Sequence, residues 1–316
     1  MRVPVIDSTG RAAMPCTPAE ARHLLKSGKA RPKWNKLGLF CVQLTYSLEP
    51  NNQPLVVGID PGSKFEGFSV VSTCDTVVNL MVEAPTHVKH AVQTRRTMRR
   101  ARRGCKWRRP KRFDNRLNRK KRIPPSTRSR WEAKARIVAQ LAKVLPLTDA
   151  IVEDVQAVTR PGTNRTWNAA FSPVQVGKEQ LYALLGNMGL TLHTREGWQT
   201  QELREHYGLK KTTSKSKQSF ASHCVDAWVL AACISGAEHP TCTQLWYVVP
   251  ATLHRRQLHR LQASQGGIRK PYGGTRSLGL KRVKSKGSHP TQAAMKGTPA
   301  SSPCVQAQGS PQAEVR

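Results

Sequence analysis

Residues 56–71 have the sequence VVGIDPGSKFEGFSVV, in which two apolar runs are joined by a turn. The β-branched residues of the first run favour a strand, and Pro61-Gly62 is typical of a tight turn that ends it. The sequence therefore predicts a buried β-hairpin with Asp60 at the rim of a sheet. An aspartate among aliphatic side chains loses hydration, which a divalent cation with oxygen ligands would compensate. An ordinary turn aspartate is the alternative interpretation.

The composition indicates a globular and strongly basic protein. The chain has 316 residues, of which 38% are hydrophobic, and this is enough for a core. It carries 52 Lys and Arg against 19 Asp and Glu, a net charge of +33 that attracts polyanions. We therefore expect a nucleic-acid partner.

Several other classes of protein are not expected. No apolar run reaches the roughly 18 residues of a spanning helix, and the first residues do not resemble a secretory signal. We therefore expect a cytoplasmic protein with no membrane partner. The eight cysteines include no Cys-x-x-Cys pair, so neither a zinc knuckle nor a disulfide framework is indicated.

The first fifty residues predict a small module with two strands, at 3–6 and 37–45, and a helix between them at 18–27. Thr17, Pro18 and Glu20 form a capping box with proline at the first helical position, and Gly28 suits the C-terminal cap. The module carries scattered cationic residues that form either an RNA-facing surface or a solvated face. These residues are Arg22, Lys26, Lys29, Arg31 and Lys33.

A strand at 76–83 should extend the hairpin into an antiparallel meander, after which the composition changes at Thr94. The segment from Thr94 to Arg122 is dominated by arginine and lysine. Arginines on every face cannot form a core-facing helix, so we expect an arginine-rich helix ordered by polyphosphate, with a disordered basic segment as the alternative. Its candidate nucleic-acid-binding residues are Arg95, Arg96, Arg99, Arg100, Arg102, Arg103, Lys106, Arg108 and Arg109.

A second acid follows on a later strand. A helix is predicted from a capping box at Ser129 and Glu132 to Pro146, and then a buried strand at 149–155. Glu153 and Asp154 must point to opposite faces of that strand. Glu153 is therefore a candidate site residue, although a solvent-exposed rim acid is the alternative.

The third acid is predicted on a helix. A helix at 178–188, a strand at 190–193 and a basic loop at 208–219 precede it. The next helix, from Ser219, places His223 and Asp226 one turn apart on nearly the same face. Such a pair inside an apolar run indicates a site, whereas a core histidine is the alternative.

The C-terminal part is predicted to contain a strand at 245–249, a basic helix at 252–261 and a glycine-rich basic loop at 266–276. In that loop Lys270, Tyr272 and Arg276 suit a phosphate backbone and a stacked base or sugar. From about His289 the composition predicts disorder.

The order of Asp60, Glu153 and the His223-x-x-Asp226 pair resembles that of RuvC-like nucleases in the ribonuclease H superfamily. With the arginine-rich helix between the first two acids, the chain resembles the IscB and especially the IsrB family of transposon-encoded (OMEGA) RNA-guided nucleases. The matching motifs are Arg95-Arg96-x-x-Arg99-Arg100 for the RRXRR-type bridge helix, Trp167-Asn168 with Phe171-Ser172-Pro173 and Gly177-Lys178, and Tyr272-Gly273-Gly274-Thr275 with Ser277-Leu278-Gly279. Ala12-Ala13-Met14-Pro15 stands where the family has Pro-Leu-Met-Pro.

The resemblance implies an α/β fold with an RNase H-like mixed sheet, flanking helices and small nucleic-acid-binding modules at both ends. The implied parts are a PLMP-like module (1–50), RuvC-like part I (51–93), the bridge helix (94–125), RuvC-like parts II and III (126–250), a target-interaction-like region (251–290) and a disordered tail (291–316).

The resemblance also implies a function. Asp60, Glu153 and Asp226 would bind two Mg²⁺ ions, which Mn²⁺ can replace, and His223 would act as general base. The expected partners are a guide (omega) RNA and a double-stranded DNA target, bound by a monomeric protein in a prokaryotic, nucleoid-associated ribonucleoprotein.

The segment between Asp154 and Ser222 has about seventy residues, too few for an inserted HNH nuclease domain beside the elements it must supply. With one nuclease centre, nicking of the non-target DNA strand is expected. An RNA-independent junction resolvase of the same fold and a catalytically idle RNA-binding protein are the alternatives. The internal arginine-rich helix disfavours the first, and the intact acids disfavour the second.

Overall fold

A computed structural model describes residues 1–49, 51–103, 123–154, 173–214 and 217–250. The strands are β1 (Val3–Ile6), β2 (Ala12–Cys16), β3 (Ala30–Trp34), β4 (Phe40–Leu44), β5 (Val56–Asp60), β6 (Phe65–Val71), β7 (Thr76–Glu83), β8 (Asp149–Asp154), β9 (Thr191–Glu196) and β10 (Trp246–Val248). The helices are α1 (Pro18–Lys26), α2 (His87–Arg103), α3 (Pro125–Ala142), α4 (Pro173–Gly186), α5 (Gly197–His206), α6 (Phe220–His223) and α7 (Val225–Ser235).

The larger sheet has six strands in the order β10-β7-β6-β5-β8-β9. Strands β5, β6 and β7 form the predicted antiparallel meander, and Asp60 lies at the end of β5 opposite Gly67 of β6. The pairs β5–β8, β8–β9 and β7–β10 are parallel. This mixed sheet with flanking helices has the predicted ribonuclease H-like architecture.

The smaller sheet has the order β2-β1-β4-β3. Helix α1 is capped as predicted, because Thr17 Oγ1 accepts a hydrogen bond of 3.2 Å from the Glu20 amide and Gly28 has a φ of 70°. The sequence did not predict β2 and β3, which contain Pro15 and Pro32. Both are edge strands, where a proline leaves no ladder hydrogen bond unmade.

Apolar side chains cover both faces of the larger sheet. On one face, Leu141 of α3 and Leu181 of α4 pack with Phe68 and Leu80 of the meander. The same cluster includes Cys41 of β4, so the two sheets share part of one core.

Helix α7 packs on the opposite face, where the fully buried Trp228 donates a hydrogen bond of 2.9 Å from Nε1 to Thr76 Oγ1. Apart from Asp226 and Ser235, the residues of this helix are apolar on every side, as expected for a helix enclosed by protein. Among the described helices, none is long and apolar enough to cross a membrane.

Several predicted helix and strand bounds were wrong. Helix α3 begins at Pro125, because proline is favoured at the first helical position, and not at the capping box predicted at Ser129. Glu132 instead accepts a hydrogen bond from Arg128, one turn away. The arginine-rich helix begins at His87 rather than Thr94, and α4 begins five residues earlier than predicted.

Candidate functional site

The ends of two parallel strands bring the first two predicted acids together. Ile59 of β5 lies opposite Val152 of β8, so the next residues, Asp60 and Glu153, emerge side by side at the carboxyl edge of the sheet. Their side chains are hydrogen-bonded to each other. The start of α5 borders this pair, since a Cβ atom on Gly197 would lie 3.4 Å from Glu153 Oε1.

The third acid reaches the same edge because α7 lies directly on the hairpin backbone. A Cβ atom on Gly58 would lie 1.8 Å from the carbonyl oxygen of Ala227, closer than any real contact. A Cβ atom on Gly67 would lie 1.9 Å from the carbonyl oxygen of His223. Because these two positions are glycines, α7 can lie directly against the backbone of the hairpin. Asp226 precedes Ala227 in α7 and is therefore placed beside Asp60. Only 5% of its side chain is exposed.

Two cations that the sequence did not single out contact the carboxylates. Lys211 Nζ donates a hydrogen bond of 3.4 Å to Asp60 Oδ2 and another to Asp226 Oδ2. Arg204 Nη1, from α5, donates a hydrogen bond of 2.8 Å to Asp226 Oδ1. Lys211 lies in the predicted basic loop, where no local pattern distinguishes it from Lys210.

The carboxyl groups perturb one another. Burial raises the pKa of Glu153, and the nearby charges of Asp60 and Asp226 raise it further, to about 8. Burial also raises the pKa of Asp60, although Lys211 opposes that shift. Burial lowers the pKa of Lys211, but the three carboxyl groups outweigh burial and raise it. The site therefore holds a proton and an ammonium group among its acids at neutral pH.

His223 lies at the end of α6, next to the hairpin. The residue is 8% exposed, and its ring centroid lies 5.1 Å from that of Phe65 at the start of β6. The sequence predicted one helix carrying His223 and Asp226. Instead, Cys224, with φ −111° and ψ −10°, separates α6 from α7.

The opposite face of β8 is tied to α4. Asp154 accepts hydrogen bonds from Lys178 Nζ and from Tyr182 Oη, the latter at 3.3 Å. Burial raises the pKa of Tyr182, and Asp154 raises it further. Glu153 and Asp154 thus point to opposite faces, as predicted, and the buried Lys178 fixes the end of the strand that carries Glu153.

The donor set suits a hard divalent cation. Within the described ranges, no three His, Cys, Asp or Glu side chains are arranged to hold a metal ion. The Oδ2 atoms of Asp60 and Asp226 contact the Lys211 ammonium group instead. Carboxylate oxygens are nevertheless the ligands that Mg²⁺ prefers, and a positive charge already lies between two of them. The residues present therefore fit the predicted ion.

Helix α2, which is rich in arginine, carries exposed positive charges. Arg95, Arg96 and Arg100 are exposed, as is every described side chain from Gln93 to Arg100. Arg99, Arg102 and Arg103 lie in the same helix, but their side chains are outside the described set. The remaining predicted nucleic-acid-binding residues fall outside the described residues: Lys106, Arg108, Arg109, Lys270, Tyr272 and Arg276.

Comparisons with known proteins give one family and two similar structures. The sequence model of the family described as "RRXRR protein" matches residues 3–170. The Thermus thermophilus RuvC structure in complex with a Holliday junction substrate has 14% identity and a TM-score of 0.33, covering 57% of this chain and 90% of that chain. Another Thermus thermophilus RuvC structure has 15% identity and a TM-score of 0.31, covering 59% and 99%. No curated protein matches.

Proposed function

Because this chain belongs to the RRXRR protein family, we propose that it is a magnesium-dependent, RNA-guided DNA endonuclease that nicks the non-target strand. The family match covers the arginine-rich helix and the first two acids, as expected from the resemblance to IscB and IsrB proteins. The protein acts as a monomer in a cytoplasmic, nucleoid-associated ribonucleoprotein.

The observation that carries the proposal is the convergence of Asp60, Glu153 and Asp226 from β5, β8 and α7. These residues lie far apart in the chain, and two of them are buried enough to need a counter-charge. Such a group of acids at the carboxyl edge of a sheet suits a metal-dependent phosphodiesterase.

In the proposed mechanism, Asp60, Glu153 and Asp226 would hold divalent cations, which would supply Lewis-acid chemistry for the attacking water and the departing 3′ oxygen. Arg204 orients Asp226 by donating a hydrogen bond to the Oδ1 atom of that aspartate. His223, beside the hairpin that carries Asp60, accepts the proton of the attacking water. Lys178 and Tyr182 hold the end of β8 from the other face, and so position Glu153.

The arginine-rich helix supplies the nucleic-acid contacts. Exposed guanidinium groups bind backbone phosphates without reading sequence, and base pairing with the guide RNA selects the DNA target. The described residues contain one such cluster of acids, and the segment between Asp154 and Ser222 is too short for an inserted HNH domain, so a single strand is cut.

The proposal is tested with a purified protein–guide RNA complex and supercoiled plasmid that carries a matched target and flanking motif. We expect open-circular product in Mg²⁺, with the break in the non-target strand. Rapid conversion to linear DNA, or a break in the guide-paired strand, would contradict the proposal. Cutting of branched DNA without any RNA would favour the junction resolvase instead. Asp149→Asn, at the opposite end of β8, is the matched control and should cut normally.

A further inference from the structure

We propose that Lys211 is a built-in counter-cation, which holds Asp60 and Asp226 together in the metal-free protein and leaves them when a divalent cation binds. This inference rests on the proposed function, because it concerns the same three acids, and it adds a means by which occupancy of the site is controlled.

The contacts of Lys211 are those of a shared cation. Its Nζ atom lies between the Oδ2 atoms of Asp60 and Asp226, and it donates a hydrogen bond to each. The side chains of Asp60 and Asp226 are only 16% and 5% exposed. Two carboxylates this poorly hydrated repel each other strongly unless a positive charge lies between them. Lys211 therefore keeps the acids together before a metal ion arrives.

Lys211 is also able to leave. Its side chain is 35% exposed, which is more than either acid, so water is close to the ammonium group. Lysine has a flexible four-carbon stem and a strongly hydrated head, and solvent can stabilise the group once it withdraws. A divalent cation held by the same two carboxyl groups would repel the ammonium group.

Arg204 differs from Lys211 in the atoms it contacts. It binds Oδ1 of Asp226, the oxygen that Lys211 does not use, and it comes from the regular helix α5. Withdrawal of Lys211 therefore frees Oδ2 of both acids, while Arg204 continues to orient Asp226. Arg204 is a positioning residue, whereas Lys211 competes with the metal ion.

Competition has a measurable consequence. When part of the protein has its binding site occupied by its own lysine, the apparent metal affinity falls in proportion to the remaining fraction. Removing the ammonium group should therefore tighten metal binding. The same change should destabilise the metal-free protein, because Asp60 and Asp226 then lack the charge between them.

The test is isothermal titration of Mn²⁺ into the full-length protein without nucleic acid, using wild type, Lys211→Met, Lys210→Met and Arg204→Met. We expect Lys211→Met to bind Mn²⁺ about tenfold or more tightly than wild type, since the competitor is gone. Lys210→Met, which removes the neighbouring charge, should bind as wild type does. Arg204→Met should bind no more tightly than wild type, because Asp226 is then less well oriented.

A second measurement follows the thermal unfolding midpoint in a chelator. Lys211→Met should unfold at a lower temperature than wild type, and Mn²⁺ should remove the difference. If Lys211→Met does not fold without metal, it is purified with Mn²⁺, and its affinity is measured by competition with a chelating dye.

The outcomes separate the inference from the proposed function. Mn²⁺ binding to wild type, with equal or weaker binding to Lys211→Met, would overturn the inference and leave the metal-dependent nuclease intact. An absence of binding to every variant, including wild type, would overturn both.

Discussion

Oε1 of Glu66 accepts a hydrogen bond of 2.6 Å from Nζ of Lys134, and the two side chains are only 1% and 3% exposed. This ion pair joins β6, the second strand of the hairpin, to α3. The ammonium group also lies 4.7 Å from the ring centroid of Trp131, which packs against Gly177 of α4. One buried pair thus ties the hairpin to both helices on that face of the sheet.

Breaking this pair should be strongly destabilising. Lys134→Met leaves an uncompensated carboxylate at Glu66, whose Oε2 atom already has no partner among the described residues. We expect a loss of about 3–5 kcal/mol in the free energy of unfolding, measured with urea. Arg136→Met removes an exposed ion pair of the same helix and is the control, with a change of less than about 1 kcal/mol. A Lys134→Met protein as stable as the control would contradict this expectation.

Gly58→Ala should prevent α7 from seating on the hairpin. The added Cβ atom would meet the carbonyl oxygen of Ala227 at 1.8 Å, and both are backbone-fixed. We expect a fall in the unfolding midpoint large enough to leave little folded protein at growth temperature, measured by circular dichroism. Gly186→Ala, which meets no atom within 4 Å at the end of α4, is the matched control and should be neutral or slightly stabilising. Equal midpoints for the two variants would show that α7 does not lie where the structure places it.

Asp60→Ala should abolish DNA cleavage and leave nucleic-acid binding nearly intact. The change removes a proposed metal ligand without altering the basic surface of α2. Cleavage and binding are measured on the same preparation, with Asp149→Asn as the control acid. Normal cutting by Asp60→Ala in Mg²⁺ would mean that Asp60 only shapes the turn before Pro61.

Replacing Arg95, Arg96 and Arg100 together by alanine should weaken RNA binding and reduce its dependence on salt. Each phosphate contact that is lost should lower the slope of log affinity against log salt by about 0.7–0.9. Replacing Arg128 and Arg136, which are paired with Glu132, should change the slope less. A slope that stays the same in the α2 variant would exclude these arginines from the interface.

The metal-free protein should lose stability as the pH rises from about 5 to about 8. The pKa of Glu153 lies at about 8 in the folded chain, above its ordinary value of 4.5, so the folded chain retains a proton that the unfolded chain has lost. Proton retention stabilises the folded state at the acidic end of this range, and the effect disappears as Glu153 ionises. Urea unfolding in the presence of a chelator, repeated at several pH values between about 5 and about 8, measures how the free energy of unfolding changes. Glu153→Gln should flatten it, and rising stability with pH in wild type would contradict the assignment.

Much of the scaffold followed from local sequence. The β-branched run before Asp60 and the Pro61-Gly62 turn predicted the hairpin, because strand preference and turn chemistry agree there. The Thr17 cap predicted α1 for a similar reason. The edge strands β2 and β3 were missed because their pairing partners, rather than their own residues, stabilise them.

The interior of the site was less predictable. Lys211 and Arg204 lie 15 and 22 residues from Asp226, and nothing in a basic loop or a polar helix indicates which cation will meet which acid. The separation of α6 from α7 at Cys224 could likewise not be predicted from the sequence, because apolar residues continue on both sides of Cys224. Such features depend on contacts between elements that are distant in the chain.

The wide spacing of the three acids also determines when the site can exist during synthesis. A ribosome adds about 5–20 residues per second, and it completes the hairpin and α2 well before it reaches α7. A nascent chain can therefore expose its arginines to RNA while Asp226 has not yet been made. Under the proposed function, this order allows the arginine-rich helix to meet a guide RNA before Asp226 completes the group of three acids.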